Sequence, residues 1–342
     1  MLSANNDILD NVVSSDLLAM KDFIFNSVNN EDIKFATDVI SHLIKSGGKK
    51  IRPKLVFVIC KMLGYSREDK IKVAASVEFI HNAALLHDDV LDESEVRHGV
   101  RTANKIWGDK SSILVGDLLL TLAFGWLIEC KNLNVLSILS RASRSLVKGE
   151  IKQMTTYFNP HTVRESYFDI IGEKTASLFS ACCEAASVIS GATSDEIERL
   201  KSFGFNFGMA FQIIDDMLDY TASQSTSGKQ VGKDFFEGKV TLPAIIAYEK
   251  SNTVEREFWE KCFSSAERDF NQALYYINYH NAVELSIEKA KHYISMAQNN
   301  IDAFSDSPYK TALINFLNAS IERQAWLVLD IFRLIAIYLL GS

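Results

Sequence analysis

The chain has 342 residues, 47% of them hydrophobic and 23% charged, and a formal net charge of −7. That apolar share supports a substantial core and excludes disorder as the main state. The acidic balance, with no basic run, argues against nucleic acid as the main partner, and sixteen glycines with four prolines supply too few turns for a β-sandwich or barrel of this length.

The length suits two domains or one large helical domain. The turn-poor, helix-periodic sequence favours the latter, a single all-α domain over 1–342. The five cysteines (Cys60, Cys130, Cys182, Cys183 and Cys262) are odd in number and contain no C-x-x-C. They are expected to be reduced core thiols of a cytoplasmic protein. The N-terminal MLSANNDILDNVVSSDLL has no Arg and several acids, unlike a secretory or transit signal. No run of 18 uncharged apolar residues marks a membrane span.

Helical periodicity dominates in chain order. DIKFATDVISHLIKS predicts an amphipathic helix stopped at Gly47-Gly48. Pro53 stands at the start of the next helix, RPKLVFVICKMLGY. Further helices are predicted in KIKVAASVEFIHNAALLHDDVLDES, SSILVGDLLLTLAFGWLIEC, NVLSILSRASRSLVKGEIKQMTTYF, ESYFDIIGEKTASLFSACCEAASVISG, DEIERLKSFGFNFGMAFQIIDDMLDY and GKVTLPAIIAYEKS. The rest, to about Leu340, is also helical in pattern. Turn-rich connections fall near 98–104, 159–162, 223–232 and 304–309, none long enough for a domain linker.

One acidic pattern occurs twice: Asp88-Asp89-x-x-Asp92 and Asp215-Asp216-x-x-Asp219. Helical positions i and i+4 lie about 40° apart, so Asp88 and Asp92 share a face, as do Asp215 and Asp219. Each motif ends an apolar run, NAALLH or FQII. Carboxylates paired on an apolar face repel one another unless a cation neutralises them. Magnesium suits such a donor set, because it is held by few carboxylates together with water and substrate phosphate. Two such faces opposed in a bundle would grip a diphosphate through metal bridges; a solvated acidic helix end explains one copy far better than two.

Basic residues complete the pattern. Lys49 and Arg52 stand three apart at a helix start within GGKKIRP, where anions are favoured and Arg can bind phosphate through two hydrogen bonds. Lys174, Lys229 and Lys239 lie in the short glycine-containing stretches GEKTA, SGKQVGKD and EGKVTLP. A lone lysine is usually a solvated surface charge, but these recur close to the acidic motifs. His87, directly before the first motif, fits helix packing and support of the motif equally well, and His42 reads as structural.

The stretches GGKKIRP, FIHNAALLHDDVLDESEVRHG, LVGDLLL, KGEIKQM, GEKTASLF, FQIIDDMLDY and GKDFFEGKVTLP resemble, in order and spacing, the trans-polyprenyl diphosphate synthases. The resemblance covers roughly residues 8–325 and is strongest to the bacterial long-chain, octaprenyl-type branch. It implies an all-α isoprenoid-synthase bundle around a central cavity, usually a homodimer. It assigns Asp88, Asp89, Asp92, Asp215, Asp216 and Asp219 to Mg2+ sites that hold an allylic diphosphate. It assigns Arg97, Lys174, Lys229 and Lys239 to neutralising that diphosphate, with Thr175 and Gln212 in support. Lys49, Arg52 and His81 match the isopentenyl diphosphate site. The family usually has Arg-Arg-Gly after the first motif; here Arg97-His98-Gly99 places a part-time cation where a permanent one helps bind isopentenyl diphosphate.

The implied activity is condensation of an allylic diphosphate, with farnesyl diphosphate the expected starter, with successive isopentenyl diphosphates. The product would be a long all-trans polyprenyl diphosphate, octaprenyl by best match, for the side chain of an isoprenoid quinone. In the family, bulky aromatics at the fourth and fifth positions before the first motif block the product tunnel. Here both are alanine, Ala84 and Ala83, with Ile80 and Val77 continuing the stripe and Phe124 a candidate stop on the facing helix. A shorter-chain, geranylgeranyl-type synthase is the nearest alternative. A terpene cyclase would carry Asn, Ser/Thr and Glu in its second motif, and a regulatory subunit would have lost aspartates. Beyond the resemblance lies an apolar extension, 326–342, broken by Asp330 and Arg333 and too short to cross a bilayer. It either packs across the bundle or dimer or makes a peripheral membrane contact.

Overall fold

The computed structural model describes residues 4–97, 99–221, 232–264 and 268–320, with side chains from Ile8 onward. His98, Lys229 and the extension 326–342 lie outside the described residues.

The chain is all-α, as expected, with one small departure. Its helices are α1 (Ala4–Asn30), α2 (Lys34–Lys45), α3 (Ile51–Met62), α4 (Asp69–Leu91), α5 (Ala103–Trp107), α6 (Asp109–Glu129), α7 (Leu133–Met154), α8 (Arg164–Ile171), α9 (Ser177–Ile189), α10 (Ser194–Thr221), α11 (Lys233–Phe236), α12 (Leu242–Lys250), α13 (Thr253–Ser264), α14 (Phe270–Tyr279) and α15 (Ala282–Asp302). Residues 308–320 are also helical. A π-helical turn, Gly172–Ala176, joins α8 to α9.

The departure is a two-stranded antiparallel hairpin, β1 (Val96–Arg97) and β2 (Val100–Arg101), in the stretch expected to be only a turn. Two further boundaries differ from expectation. Helix α7 stops at Met154 rather than running through Phe158. The helix expected from Gly238 begins at Leu242, because Gly238 takes φ +80° and Pro243 belongs in the first turn.

The residues form two compact units. Among the described residues, one carries 4–144, Leu178–Gly204 and Asn300–Phe316; the other carries Ser145–Ser177, those of 205–299, and 317–320. In the first unit, α4 packs on α6, and α3 packs on α1 and α4. The Phe79 and Phe23 rings lie 4.8 and 5.0 Å from that of Trp126. Asp16 on α1 is buried and bridges Lys61 at 2.9 Å and Lys70 at 2.7 Å. Helix α6 is long and apolar enough to cross a membrane by length and composition, although Asp117 interrupts its apolar run. Its Val115, Leu119, Ala123, Trp126 and Leu127 are buried in the protein, as in a core helix.

The second unit centres on Trp259, Phe235, Ile213, Met217, Ile245 and Ile277, all sealed from solvent. Burying each such side chain contributes about 1.5–3 kcal/mol relative to exposure. The cysteines are free thiols, all buried except the half-buried Cys130. Burial pushes the Cys60 and Cys182 thiols up to about 12, so neither is a thiolate at neutral pH.

Candidate active site

The first aspartate motif closes α4. Asp88 and Asp89 lie in the last helical turn, and Asp92 is the capping residue, its N–H still donating to the Asp88 carbonyl at 2.8 Å. The one-turn spacing expected for Asp88 and Asp92 is therefore kept. Both are half-buried, whereas Asp89 is 2% exposed. The Arg97 guanidinium donates from Nε at 2.9 Å and Nη2 at 2.8 Å to Oδ1 of Asp89. The hairpin β1–β2 makes this possible by turning the chain back on the helix end. The Thr102 hydroxyl donates to the Ser94 carbonyl at 2.6 Å, and the Asn104 side chain donates to the Asp89 carbonyl at 3.1 Å.

Lys49 is exposed just before α3, and Lys50 caps that helix in a left-handed conformation, φ +46°. Arg52 follows in the first turn. Its guanidinium lies 4.2 Å from the Phe179 ring centroid, and its buried Nε has no hydrogen-bond partner. Burial lowers its pKa, against the nearby Cys182 and Glu78. A sealed guanidinium donor without an acceptor is costly, and an anion would satisfy it. His81 is half-buried on α4.

His87 packs against α6. Its Nε2 is 3.2 Å from the Ile113 carbonyl and 3.5 Å from Asp117, and a Cβ at Gly116 would collide with the ring. Of its two readings, the structure favours packing. His42 is structural, as read: its Nε2 is 2.9 Å from the Arg101 carbonyl and its ring stands edge-on to Trp107.

The second motif lies near the end of α10, and its three carboxylates have different surroundings. Asp215 is exposed. Asp216 is buried; Tyr167 donates its hydroxyl to Oδ2 at 2.6 Å and Gln212 donates Nε2 to Oδ1 at 2.7 Å. Asp219 accepts the backbone N–H groups of Lys233 and Asp234, each at 2.9 Å, across the start of α11. Burial, then the charge of Asp234, holds the Asp216 carboxyl well above the usual carboxylate range. The same two causes push Asp219 up to about 7, against the backbone N–H bonds that favour its ionised form. Such carboxyls ionise fully only with positive charge beside them.

Lys174 sits on the π-helical turn, with its Nζ 2.7 Å from Oε1 of Gln153 and paired with the buried Glu150, both on α7. Gly149 permits the approach, since a Cβ there would lie 2.5 Å from the Lys174 amide nitrogen. The adjacent Thr175 donates its hydroxyl to Oε1 of Gln212 at 2.7 Å. Thr175, Gln212, Asp216 and Tyr167 thus form one chain of hydrogen bonds. Lys239 is 2.8 Å from Oε2 of Glu237, whose Oε1 is 3.3 Å from Lys233. Tyr167, Glu150, Gln153 and Glu237 join the site residues as their partners. Glu150 and Gln153 lie within the motif KGEIKQM, but nothing local in the sequence marks Tyr167.

The donor set fits magnesium: every candidate ligand is a hard carboxylate oxygen, several are half-buried on apolar elements, and two resist ionising without an added cation. No cluster of three or more His, Cys, Asp or Glu side chains converges into a closed metal site among the described residues. An ion completed by water and substrate phosphate requires no such cage.

Comparison with known proteins identifies the family. The sequence profile of the family Polyprenyl synthetase matches residues 33–279. An octaprenyl diphosphate synthase of Haemophilus influenzae is 34% identical over 296 residues, 86% of this chain and 90% of that protein. The crystal structure of a decaprenyl diphosphate synthase from Rhodobacter capsulatus superposes with a TM-score of 0.90 at 35% identity, covering 93% of this chain and 99% of that one. A polyprenyl synthase from Caulobacter crescentus, crystallised with calcium and isoprenyl diphosphate, gives a TM-score of 0.89 at 35% identity, covering 93% and 98%. The chain belongs to the polyprenyl synthetase family and is a trans-prenyltransferase of the polyprenyl diphosphate synthase type.

Proposed function

We propose that the enzyme extends an allylic diphosphate, with farnesyl diphosphate as starter, by successive isopentenyl diphosphates to an all-trans product of about C30–C50, octaprenyl by best match. The observation that carries the long product is the pair Ala83 and Ala84 one turn before Asp88. Ala84 is half-exposed, and no bulky side chain stands at either position. The long-chain relatives support the reading, although their own products differ: octaprenyl in one and decaprenyl in another. An isoprenoid quinone side chain is the proposed destination.

In the mechanism, Asp88, Asp89, Asp92, Asp215, Asp216 and Asp219 are the residues that would hold Mg2+. Held there, Mg2+ would supply Lewis-acid neutralisation of diphosphate charge. Lys174 and Lys239, already held by carboxylates, supply fixed positive charge where the allylic C–O bond breaks and negative charge grows. Arg97 and Lys229 are assigned the same task, and Thr175 and Gln212 keep Lys174 and Asp216 in register. Arg52, Lys49 and His81 bind isopentenyl diphosphate, with His98 a fourth candidate. Its double bond then attacks the allylic cation, and the proton released goes to the departing pyrophosphate. Ala84 and Leu85, both half-buried, offer apolar surface that keeps water from quenching the cation, while Ala83 and Leu86 are buried in the core.

A second copy of the chain is the proposed partner. Helix α6 leaves Leu114 (68% exposed) and Ile128 (63% exposed) in solvent on one stripe, the kind of surface that oligomers cover. The extension 326–342 keeps its two readings, packing or membrane-peripheral, in a cytoplasmic enzyme.

The test is the pair Asp88→Ala and Asp215→Ala, assayed with farnesyl and isopentenyl diphosphates against Mg2+. Turnover is expected to fall by at least about 10²-fold in each, with helical circular dichroism unchanged. Near-normal turnover in either variant removes the assignment.

A further inference from the structure

Among the described aromatics of the second unit, Phe158 stands out by its left-handed backbone, φ +58°; it is 41% exposed. A bulky non-glycine residue rarely adopts that conformation and persists there only when its surroundings enforce it. Those surroundings are specific. The end of α7 is closed by a turn in which Thr155 N–H donates to the Lys152 carbonyl at 3.1 Å and Asn159 N–H to the Thr156 carbonyl at 3.2 Å. The Asn159 side chain then accepts the His161 N–H at 3.0 Å.

Phe158 leaves this turn toward the segment Phe236–Lys239. Its N–H donates to the Gly238 carbonyl at 2.8 Å. Its ring lies against the Gly238 backbone so closely that a Cβ at Gly238 would collide with it. The Arg268 guanidinium stands 4.5 Å from the ring centroid and donates Nη1 to the Phe236 carbonyl at 2.8 Å. The segment is therefore pinned on both sides of Glu237 by one aromatic ring and the cation lying over it. From the opposite direction, the Lys239 N–H donates to the Asp234 carbonyl at 2.8 Å.

We propose that Phe158 is a positioning residue for Lys239: by clamping Gly238 it fixes the backbone from which the Lys239 ammonium is presented to the allylic diphosphate. The inference rests on the functional reading of Lys239 given above. It explains why the residue before Lys239 is a glycine, since that residue must combine φ +80° with ring contact. It also accounts for an exposed phenylalanine that the core does not need. Loss of the ring frees the segment without removing any group that touches substrate, so the cost falls on placement of charge.

The experiment compares Phe158→Ala, Phe158→Tyr, Lys239→Ala and the double variant Phe158→Ala/Lys239→Ala in the full-length enzyme. The readouts are steady-state kinetics, binding of inorganic pyrophosphate with Mg2+, and thermal unfolding. Phe158→Ala is expected to lower kcat/KM for the allylic diphosphate by about tenfold, weaken pyrophosphate binding by a similar factor, and leave the isopentenyl diphosphate KM unchanged. Phe158→Tyr, which keeps the ring, restores both. In the Lys239→Ala background, Phe158→Ala adds no further kinetic loss, because the group it positions is gone. An equal loss in both backgrounds, or a lowered melting temperature with wild-type kinetics, overturns the proposal. If Lys239→Ala itself behaves as wild type, the assignment of Lys239 falls and the proposal with it. If Lys239→Ala is impaired and Phe158→Ala is not, only the clamp falls.

Discussion

The Tyr167 hydroxyl donates a 2.6 Å hydrogen bond to Oδ2 of Asp216, joining two buried groups 49 residues apart. With Gln212 on the other oxygen, both Asp216 oxygens have a protein donor. Asp216 thereby holds its place in the motif before any ligand arrives, while Asp215 beside it faces solvent.

Removing that hydroxyl alone leaves a buried carboxylate one donor short. Tyr167→Phe is therefore expected to destabilise the protein by about 1–3 kcal/mol and to raise the Mg2+ concentration needed for half-maximal activity. Thermal unfolding and a Mg2+ titration of turnover check the two parts. A variant matching wild type in both shows that the bond does no more than fill space.

Glycine at 149 is required by backbone approach rather than by a turn. Gly149→Ala would press on the Lys174 backbone and displace the π-helical turn that carries Lys174 and Thr175. The expected result is a fall of at least about tenfold in kcat/KM for the allylic diphosphate, with helical content kept. Kinetics alongside circular dichroism decide it, and wild-type kinetics would mean that the turn absorbs the methyl group.

The paired alanines separate in the structure. Ala83 is fully buried, whereas Ala84 is half-exposed. Ala84→Tyr is expected to shorten the product to about C15–C20 with prenyl transfer intact, which chromatography of the dephosphorylated products would show. Ala83→Tyr instead overpacks a filled site and costs about 1–3 kcal/mol or more of stability, visible as a lowered melting temperature. Unchanged products from Ala84→Tyr would mean that the growing chain does not pass this position.

Much of this arrangement was legible in the sequence and some was not, for physical reasons. Helices α2, α4 and α10 declare themselves by apolar periodicity, and both aspartate motifs fall where that periodicity places them. Helix α1 also carries a regular stripe, Leu9, Val13, Met20, Ile24 and Val28, but Asp16 interrupts it and hides the period. The hairpin at 96–101 pairs only two residues per strand, too few for alternation to register. The π-helical turn is invisible to a 3.6-residue period. The partners of the site residues were hidden for another reason: Tyr167, Gln153 and Glu150 meet their targets across 21 to 49 residues of sequence. Periodicity reports burial, not who faces whom.

Asp16 provides a pH test of the fold. Burial raises its pKa, but hydrogen bonds and charge from Lys70 and Lys61 outweigh this and leave it lowered. A depressed folded pKa contributes stability above the unfolded value, and that contribution is lost as pH falls through the folded one. Asp16→Asn is expected to cost about 1–3 kcal/mol at pH 7, and the gap from wild type should narrow below about pH 4. Denaturant unfolding at pH 7 and at about pH 2–3 measures it; a gap independent of pH contradicts the ion-pair origin.

The central claim is synthesis of a long polyprenyl chain. Its most direct measurement incubates the purified enzyme with farnesyl diphosphate, radiolabelled isopentenyl diphosphate and Mg2+, then dephosphorylates the products and separates them by chain length. The account predicts label in alcohols of about C30–C50, with the eight-unit product foremost and none without the metal. Label that stops at C20, or that never leaves isopentenyl diphosphate, would contradict it.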